Sequence, residues 1–242
     1  MSGYVFWEEV DSTTAVLKRL VAAGCSTNVT VIAASQSAGR GKNQRLWVSG
    51  QGSLSYSFVC QPQSRDALQL WTLFYALAAQ QAIELQTGVT AGIKWPNDLV
   101  YQGRKLAGIL LESRWQGSAC SCIGGIGINC NQRQFPDDLA HKAASLRMIT
   151  GMDVDTDALA CVLSATINLL QSGKDGRHLL LDRVRSLCVS LGKRVLVLGM
   201  DGSTIEGTAT EIIDSGAMRV VLADGSERLC WEGDLQHPDH VL

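Results

Sequence analysis

The sequence predicts an α+β fold, with a mixed, largely antiparallel sheet packed with helices over residues 1–190 and a small β-barrel over residues 191–242. Three observations predict it. From Gly92 to Asn129 short β-like runs are punctuated by turn signals at Pro96-Asn97, Gln102-Gly103 and Gln116-Gly117, as in antiparallel strands. Arg65 to Thr87 is the longest helical pattern and stops at Gly88. From Gly192 onward the texture changes to short β-branched runs broken by Asp201-Gly202, Asp214-Ser215-Gly216 and Asp224-Gly225. The boundary near residue 191 rests on that change of period.

Taken in order, Tyr4 to Trp7 reads as the first strand. Asp11-Ser12 can cap a helix that carries Ala15, Leu17, Leu20 and Val21 and is stopped by Gly24. Val29 to Ala34 forms a second strand. The stretch from Ser37 to Trp47 is rich in glycine and cations and follows neither regular period, so it is a loop. Ser53 to Cys60 alternates polar and apolar residues as a strand does. After the long helix and the 92–129 runs, Asp157 to Leu170 and His178 to Leu187 are helical patterns.

Composition narrows the function. The 242 residues, 46% of them hydrophobic, can bury a catalytic domain with a small appendage. With 21 basic against 23 acidic residues the formal net charge is -2, which lacks the electrostatic signature of a nucleic-acid binder. The eight cysteines are scattered through apolar stretches without zinc-site or redox spacing, so reduced thiols are expected. His141, His178, His237 and His240 make no metal-ligand spacing either. There is no signal peptide and no apolar run of bilayer length, so no membrane partner is expected and the cytoplasm is the expected compartment.

Four clusters carry chemistry. In Gly39-Arg40-Gly41-Lys42-Asn43-Gln44-Arg45 the glycines let backbone approach a ligand, while the cations offer charge-assisted bonds to phosphate or carboxylate oxygens. The spacing is neither that of a Walker loop nor Gly-x-Gly-x-x-Gly. Lys94-Trp95-Pro96-Asn97-Asp98 ends an apolar strand on a lysine and presents an amide and a carboxylate from a proline-fixed turn. Arg104 to Glu112 leads into a strand whose Gly108 admits a ligand or backbone, and Gly124-Gly125-Ile126-Gly127-Ile128-Asn129 again permits close approach. Each cluster alone also has a plain structural reading as turn formers or core glycines.

In this order and spacing they resemble the biotin protein ligases. Asp11-Ser12-Thr13-Thr14 is similar to that family's Asp-Ser-Thr-Asn motif, and Gln36 with the 39–45 loop is similar to its biotin and adenylate loop. Lys94 to Asp98 followed by Lys105-Leu106-Ala107-Gly108-Ile109 resembles its most specific signature, and Gly192 to Asp234 its C-terminal barrel. The resemblance implies an enzyme that activates biotin with Mg²⁺ and ATP as biotinyl-5'-AMP and then transfers biotin to a lysine of a biotin carboxyl carrier protein of acetyl-CoA carboxylase or a related carboxylase.

The resemblance further implies biotin contacts from Ser12, Thr13, Thr14, Gln36, Gly39, Arg40, Lys94, Gly108 and Gly125. It implies adenylate contacts from Arg40, Gly41, Lys42, Arg45, Trp47, Lys94, Asn97 and Asn129, with Lys94, Arg40 and Lys42 catalytic. No protein-borne metal is expected beyond the Mg²⁺ that accompanies ATP. Some members carry an N-terminal winged helix and repress biotin synthesis; here the first strand begins within a few residues of Met1, so the expectation is no nucleic-acid binding. Homodimerisation is left open. The alternative within the fold is a lipoate or octanoate ligase or transferase; the alternative outside catalysis is a biotin sensor.

Two departures stand out. The family loop reads Gly-Arg-Gly-Arg-x-Gly-Arg-x-Trp, whereas this chain has Lys42 for the second arginine and Gln44 for the third glycine. Lysine loses the planar fork, and Gln44 restricts a position suited to positive φ, so weaker adenylate retention is expected.

Overall fold

The computed structural model describes residues 3–25, 29–60, 62, 64–65, 67–117, 119–172, 176–199 and 202–237. Asp201, half of one expected turn, and His240 lie outside the described residues. The first sheet contains β1 (Gly3–Val10), β2 (Val29–Gln36), β3 (Ser53–Cys60), β4 (Gly92–Lys94), β5 (Asp98–Tyr101), β6 (Arg104–Gln116) and β7 (Ala119–Asn129). Its order is β1-β2-β3-β7-β6-β5-β4, antiparallel throughout except for the parallel β1–β2 edge. That parallel pair is joined by α1 (Thr13–Ala22), the crossover that parallel strands require.

The sheet is covered on both faces. On one, Leu17 of α1 packs with Val31 and Ile123. On the other lies α2 (Ala67–Thr87), which is buried almost continuously from Thr72 to Ala79 and is packed in turn by α4 (Thr156–Gln171) and α5 (Arg177–Leu187). A helix enclosed between a sheet and other helices has no use for a polar stripe, which is why α2 is apolar all round. Its Tyr75 meets Phe58 of β3 edge to face at 4.6 Å. Gly88, with φ +73°, terminates α2 as expected.

The alternation read in β3 has a different meaning from the usual wet-side, dry-side strand. Leu54, Tyr56, Phe58 and Cys60 face the α2 side, while Ser53, Ser55 and Ser57 are buried as well. The short α3 (Leu146–Thr150), capped by the Ser145 hydroxyl and closed by Gly151 at φ 77°, has no counterpart among the elements read from the sequence. It is too brief for a 3.6-residue period to register.

The tail forms β8 (Arg194–Leu198), β9 (Thr204–Ile212), β10 (Met218–Val221), β11 (Glu227–Cys230) and β12 (Asp234–Gln236). They make one antiparallel sheet in the order β11-β10-β9-β8-β12; the barrel expected here is this five-stranded sheet, with no β11–β12 pairing among the described residues to close it. It is docked on the first sheet's body. The indole N–H of the fully buried Trp95 donates to the Gly216 carbonyl at 3.1 Å, and a Cβ on Gly216 would lie 2.8 Å from Leu70 N.

Candidate functional site

The floor of the site is made of hydroxyls. Ser12 is the N-cap of α1 but makes no side-chain cap bond, and Asp11 beside it is gripped by Arg19 through two nitrogens at 2.8 and 2.9 Å. With the chain entry fixed, the first turn of α1 presents Thr13 and Thr14 to β3. Thr13 donates its N–H to Gln36 Oε1 at 2.8 Å, and its hydroxyl lies 2.7 Å from Ser57 Oγ; Thr14 Oγ1 lies 3.1 Å from the same Ser57 oxygen. Gly125, opposite Ser57 on β7, is bare because a Cβ there would meet Thr14 Oγ1 at 3.1 Å.

The next row along the sheet is Ser55, Gly127 and Gly108 on neighbouring strands. The Trp47 indole lies on this platform: a Cβ on Gly127 would fall 2.5 Å from Trp47 Cε2, and one on Gly108 3.3 Å from Cζ3. Trp47 Nε1 is buried without a hydrogen-bond partner. Above the ring stands Lys105, its Nζ 5.5 Å from the ring centroid and 2.6 Å from Asp98 Oδ1. The geometry therefore places a cation, an aromatic wall and bare backbone next to a hydroxyl pocket.

Apart from Asp11, Arg19 and the fully buried Ser57, these groups line a single cavity of about 1900 Å³, together with Ser12, Arg40, Gly41, Lys42, Arg45, Lys94, Asn97 and Asn129. Of the residues expected from the sequence, Gly39 alone is off the wall; it lets the loop fold back, since a Cβ would sit 2.7 Å from Trp47 O. Lys94 reaches the cavity from the end of β4, in register with Asp98.

Two expected nucleotide contacts are engaged within the fold. The Asn97 amide donates to Ile109 O at 2.8 Å, and the 4%-exposed Asn129 donates to Ala144 O at 3.2 Å while its oxygen accepts from Gln132 at 3.3 Å. Buried and part-buried carboxamides of this kind are held by backbone carbonyls, and both residues also border the cavity.

The loop also differs from expectation. It contains a 3-10 turn, Lys42–Gln44, and an Arg40–Leu46 bridge. The positive φ expected at Gln44 falls on Asn43, at 56°, a residue that tolerates it. Burial pushes the Lys42 ammonium below its ordinary pKa, while Glu232, Asp234 and Asp98 pull it upward.

Lys105 and Ser55 on the cavity wall, and Ser57 buried behind it, were not singled out as site residues from the sequence. Their signals were present: a lysine three positions before a strand glycine, and serines at alternate positions of a strand otherwise made of core residues.

Among known families, the biotin/lipoate A/B protein ligase family matches residues 7–129. The chain belongs to that family. The match spans the elements from β1 to β7, from the hydroxyl floor to the glycine platform. This family member is 30% identical over 236 residues to the bifunctional ligase/repressor BirA of Bacillus spizizenii, covering 93% of this chain and 71% of that protein. It is 42% identical over 124 residues to the biotin–[acetyl-CoA-carboxylase] ligase of Paracoccus denitrificans, covering 49% and 51% of the two chains. Its fold superposes with a TM-score of 0.85 and 29% identity on the biotin protein ligase of Aquifex aeolicus in complex with biotin and ATP, over 98% of this chain and 100% of that one.

Proposed function

We propose that this chain is an ATP-dependent biotin protein ligase that forms biotinyl-5'-AMP and passes biotin to a lysine of a biotin carboxyl carrier domain. The observation that carries the reading is the adjacency, in one cavity, of the polar pocket of Thr13, Thr14 and Gln36, backed by the buried Ser57, and the Trp47–Lys105 wall on the Gly108–Gly127 platform. A ureido ring offers both N–H donors and a carbonyl acceptor, which suits hydroxyls that can donate or accept. The bare glycines and the indole suit an apolar ring and chain.

In the first step a biotin carboxylate oxygen attacks the α-phosphorus of ATP, and the bond to the pyrophosphate oxygen breaks. Two anions must meet, so fixed cations lower the barrier. Lys105 is the group this geometry favours at the carboxylate, because it overlies Trp47 and Gly108; Arg40, Lys42 and Lys94 supply further positive charge around the phosphates. In the second step the acceptor amine attacks the acyl carbon, the bond to AMP breaks, and the amine gives up its proton.

Mg²⁺ belongs to the Mg·ATP substrate in this reading. Among the described residues no three metal-binding side chains cluster, and Asp98 and Asp234 on the cavity wall are engaged by Lys105 and Arg45. Residues 1–190 act as the catalytic unit and 191–242 as the appended one. In this reading the acceptor belongs to acetyl-CoA carboxylase or a related cytoplasmic carboxylase, with neither nucleic acid nor membrane as a partner.

The test is direct. The chain is incubated with Mg·ATP, an apo carrier domain and either biotin or lipoate, and the carrier's intact mass is read, with a carrier lacking its target lysine as control. A biotin-sized gain that needs ATP and the target lysine is expected. A gain with lipoate alone would move the protein to the lipoate branch, and no gain with either would remove the ligase reading.

A further inference from the structure

One contact of the cavity wall has no part in the chemistry above. Of the three cations in the 39–45 loop, two are held by a single turn of the C-terminal sheet. Lys42 Nζ donates to Gly233 O at 3.1 Å, and Arg45 Nη2 meets Asp234 Oδ2 at 2.6 Å.

Both sides of this contact are fixed. Gly233 has φ +143°, and a Cβ there would fall 2.6 Å from Val197 Cγ1 and 3.1 Å from Leu198 O, so the turn lies hard against β8. Asp234 opens β12 and pairs with Leu198. The loop is closed on itself, with Gly41 N–H donating to Arg45 O at 2.8 Å and Arg45 N–H to Lys42 O at 3.2 Å.

Lys42, Arg45, Gly233 and Asp234 line the same cavity as Lys105, so the two cations border the cavity while they are held. Neither is exhausted by the contact. An ammonium has three protons and a guanidinium five, and the carbonyl and carboxylate take one each. The lysine also fits: a compact ammonium meets a lone backbone carbonyl without needing the planar fork that an arginine presents to a carboxylate.

We propose that the Gly233–Asp234 turn is the seat of the adenylate loop, and that Asp234 is a positioning residue that keeps Arg45 and Lys42 on the cavity wall before nucleotide arrives. The inference rests on reading the cavity as an ATP site, and it gives the C-terminal sheet a part in a reaction whose other groups come from the first sheet. A loop already ordered has less conformational freedom to lose on binding.

Two readouts test it. The first needs no activity: limited trypsin digestion of the full, ligand-free chain, followed by mass spectrometry of cuts after Arg40, Lys42 and Arg45, for wild type, Asp234→Asn and Asp234→Glu. The second is release of biotinyl-5'-AMP from the same proteins, with the KM for biotin measured alongside. In Asp234→Asn, nicking and release are both expected to accelerate about two- to five-fold, the population change that one partly exposed ion pair can carry, with the KM for biotin unchanged. Asp234→Glu is expected to restore both.

Unchanged nicking would overturn the seat. Faster nicking with unchanged release would overturn the positioning role, and slower release would make Asp234 a competitor of the phosphates, overturning it as well. If no adenylate forms in any protein, the functional reading fails while the nicking still decides whether the turn seats the loop.

Discussion

Gly127 lacks a side chain where the Trp47 indole lies: a Cβ on it would stand 2.5 Å from Cε2 and 2.7 Å from Nε1 of that ring. Gly124, three residues earlier, is bare for a neighbour on the opposite face, with a Cβ falling 2.4 Å from Phe58 Cζ. The two glycines therefore separate the site from the core within one strand. Gly127→Ala and Gly124→Ala should each cost about 1–3 kcal/mol of stability by overpacking. Gly127→Ala alone should also raise the KM for biotin, because it displaces the wall; equal KM values in the two variants would contradict this assignment.

Lys105 should outweigh Lys94. Lys105→Met is expected to lower kcat/KM by roughly 10²–10³, the scale for losing one fixed group at developing charge, with Lys94→Met costing less. Asp98→Asn, which removes the 2.6 Å partner of Lys105 and leaves the cation in place, should cost about ten-fold or less. Steady-state kinetics on the three variants decides the order, and a larger loss in Lys94→Met would return the reacting position to the end of β4.

Thr13→Val keeps shape but removes a hydroxyl placed 2.7 Å from Ser57 Oγ and 3.2 Å from Gln36 Oε1. Leaving buried polar partners short of a hydrogen bond should cost about 1–3 kcal/mol. Thermal melting reads that loss. The KM for biotin should rise about ten-fold while that for ATP stays constant, and a change confined to ATP would place the hydroxyl pocket under the nucleotide instead.

The Arg19 guanidinium, helped by the Ser12 N–H, holds the Asp11 carboxyl down to about 2. A carboxyl whose pKa is lower in the folded chain stabilises fully above its unfolded pKa and loses that contribution as pH falls through the folded one. The melting difference between wild type and Arg19→Ala should thus be complete at neutral pH and shrink from about pH 4 down to about pH 2. A difference independent of pH would mean that Arg19 acts through packing alone.

Much of this could be read in the residues. Strand β3 is bounded at Ser53 and Cys60 as its alternation indicates, and the Asp11-Ser12 start and Gly88 stop signals lie where their helices begin and end. Short-range chemistry writes such features. The backbone contacts of the Asn97 and Asn129 amides were not legible, because they depend on carbonyls 12 and 15 residues away. Lys105 was passed over for a related reason: its importance comes from Trp47, which is distant in sequence and reaches it through folding of the loop. The grip of the C-terminal sheet on Lys42 and Arg45 spans 191 and 189 residues and leaves no local trace.

The hydroxyl floor has a consequence for discrimination between substrates. On this floor Thr13, Thr14, Gln36 Oε1 and Ser57 hydrogen-bond to one another. A guest must break that truce and replace each bond it disrupts. A ring with N–H and C=O groups can make the exchange nearly even, whereas a sulfur heterocycle of similar bulk disrupts the mutual bonds and returns none. Sites of this kind turn away look-alikes lacking the matching polar groups by factors of roughly 10⁴–10⁵. The floor joins the first turn of α1, the end of β2 and the interior strand β3, so a wrong ring would have to displace packed elements, and in this reading fidelity is a property of the core.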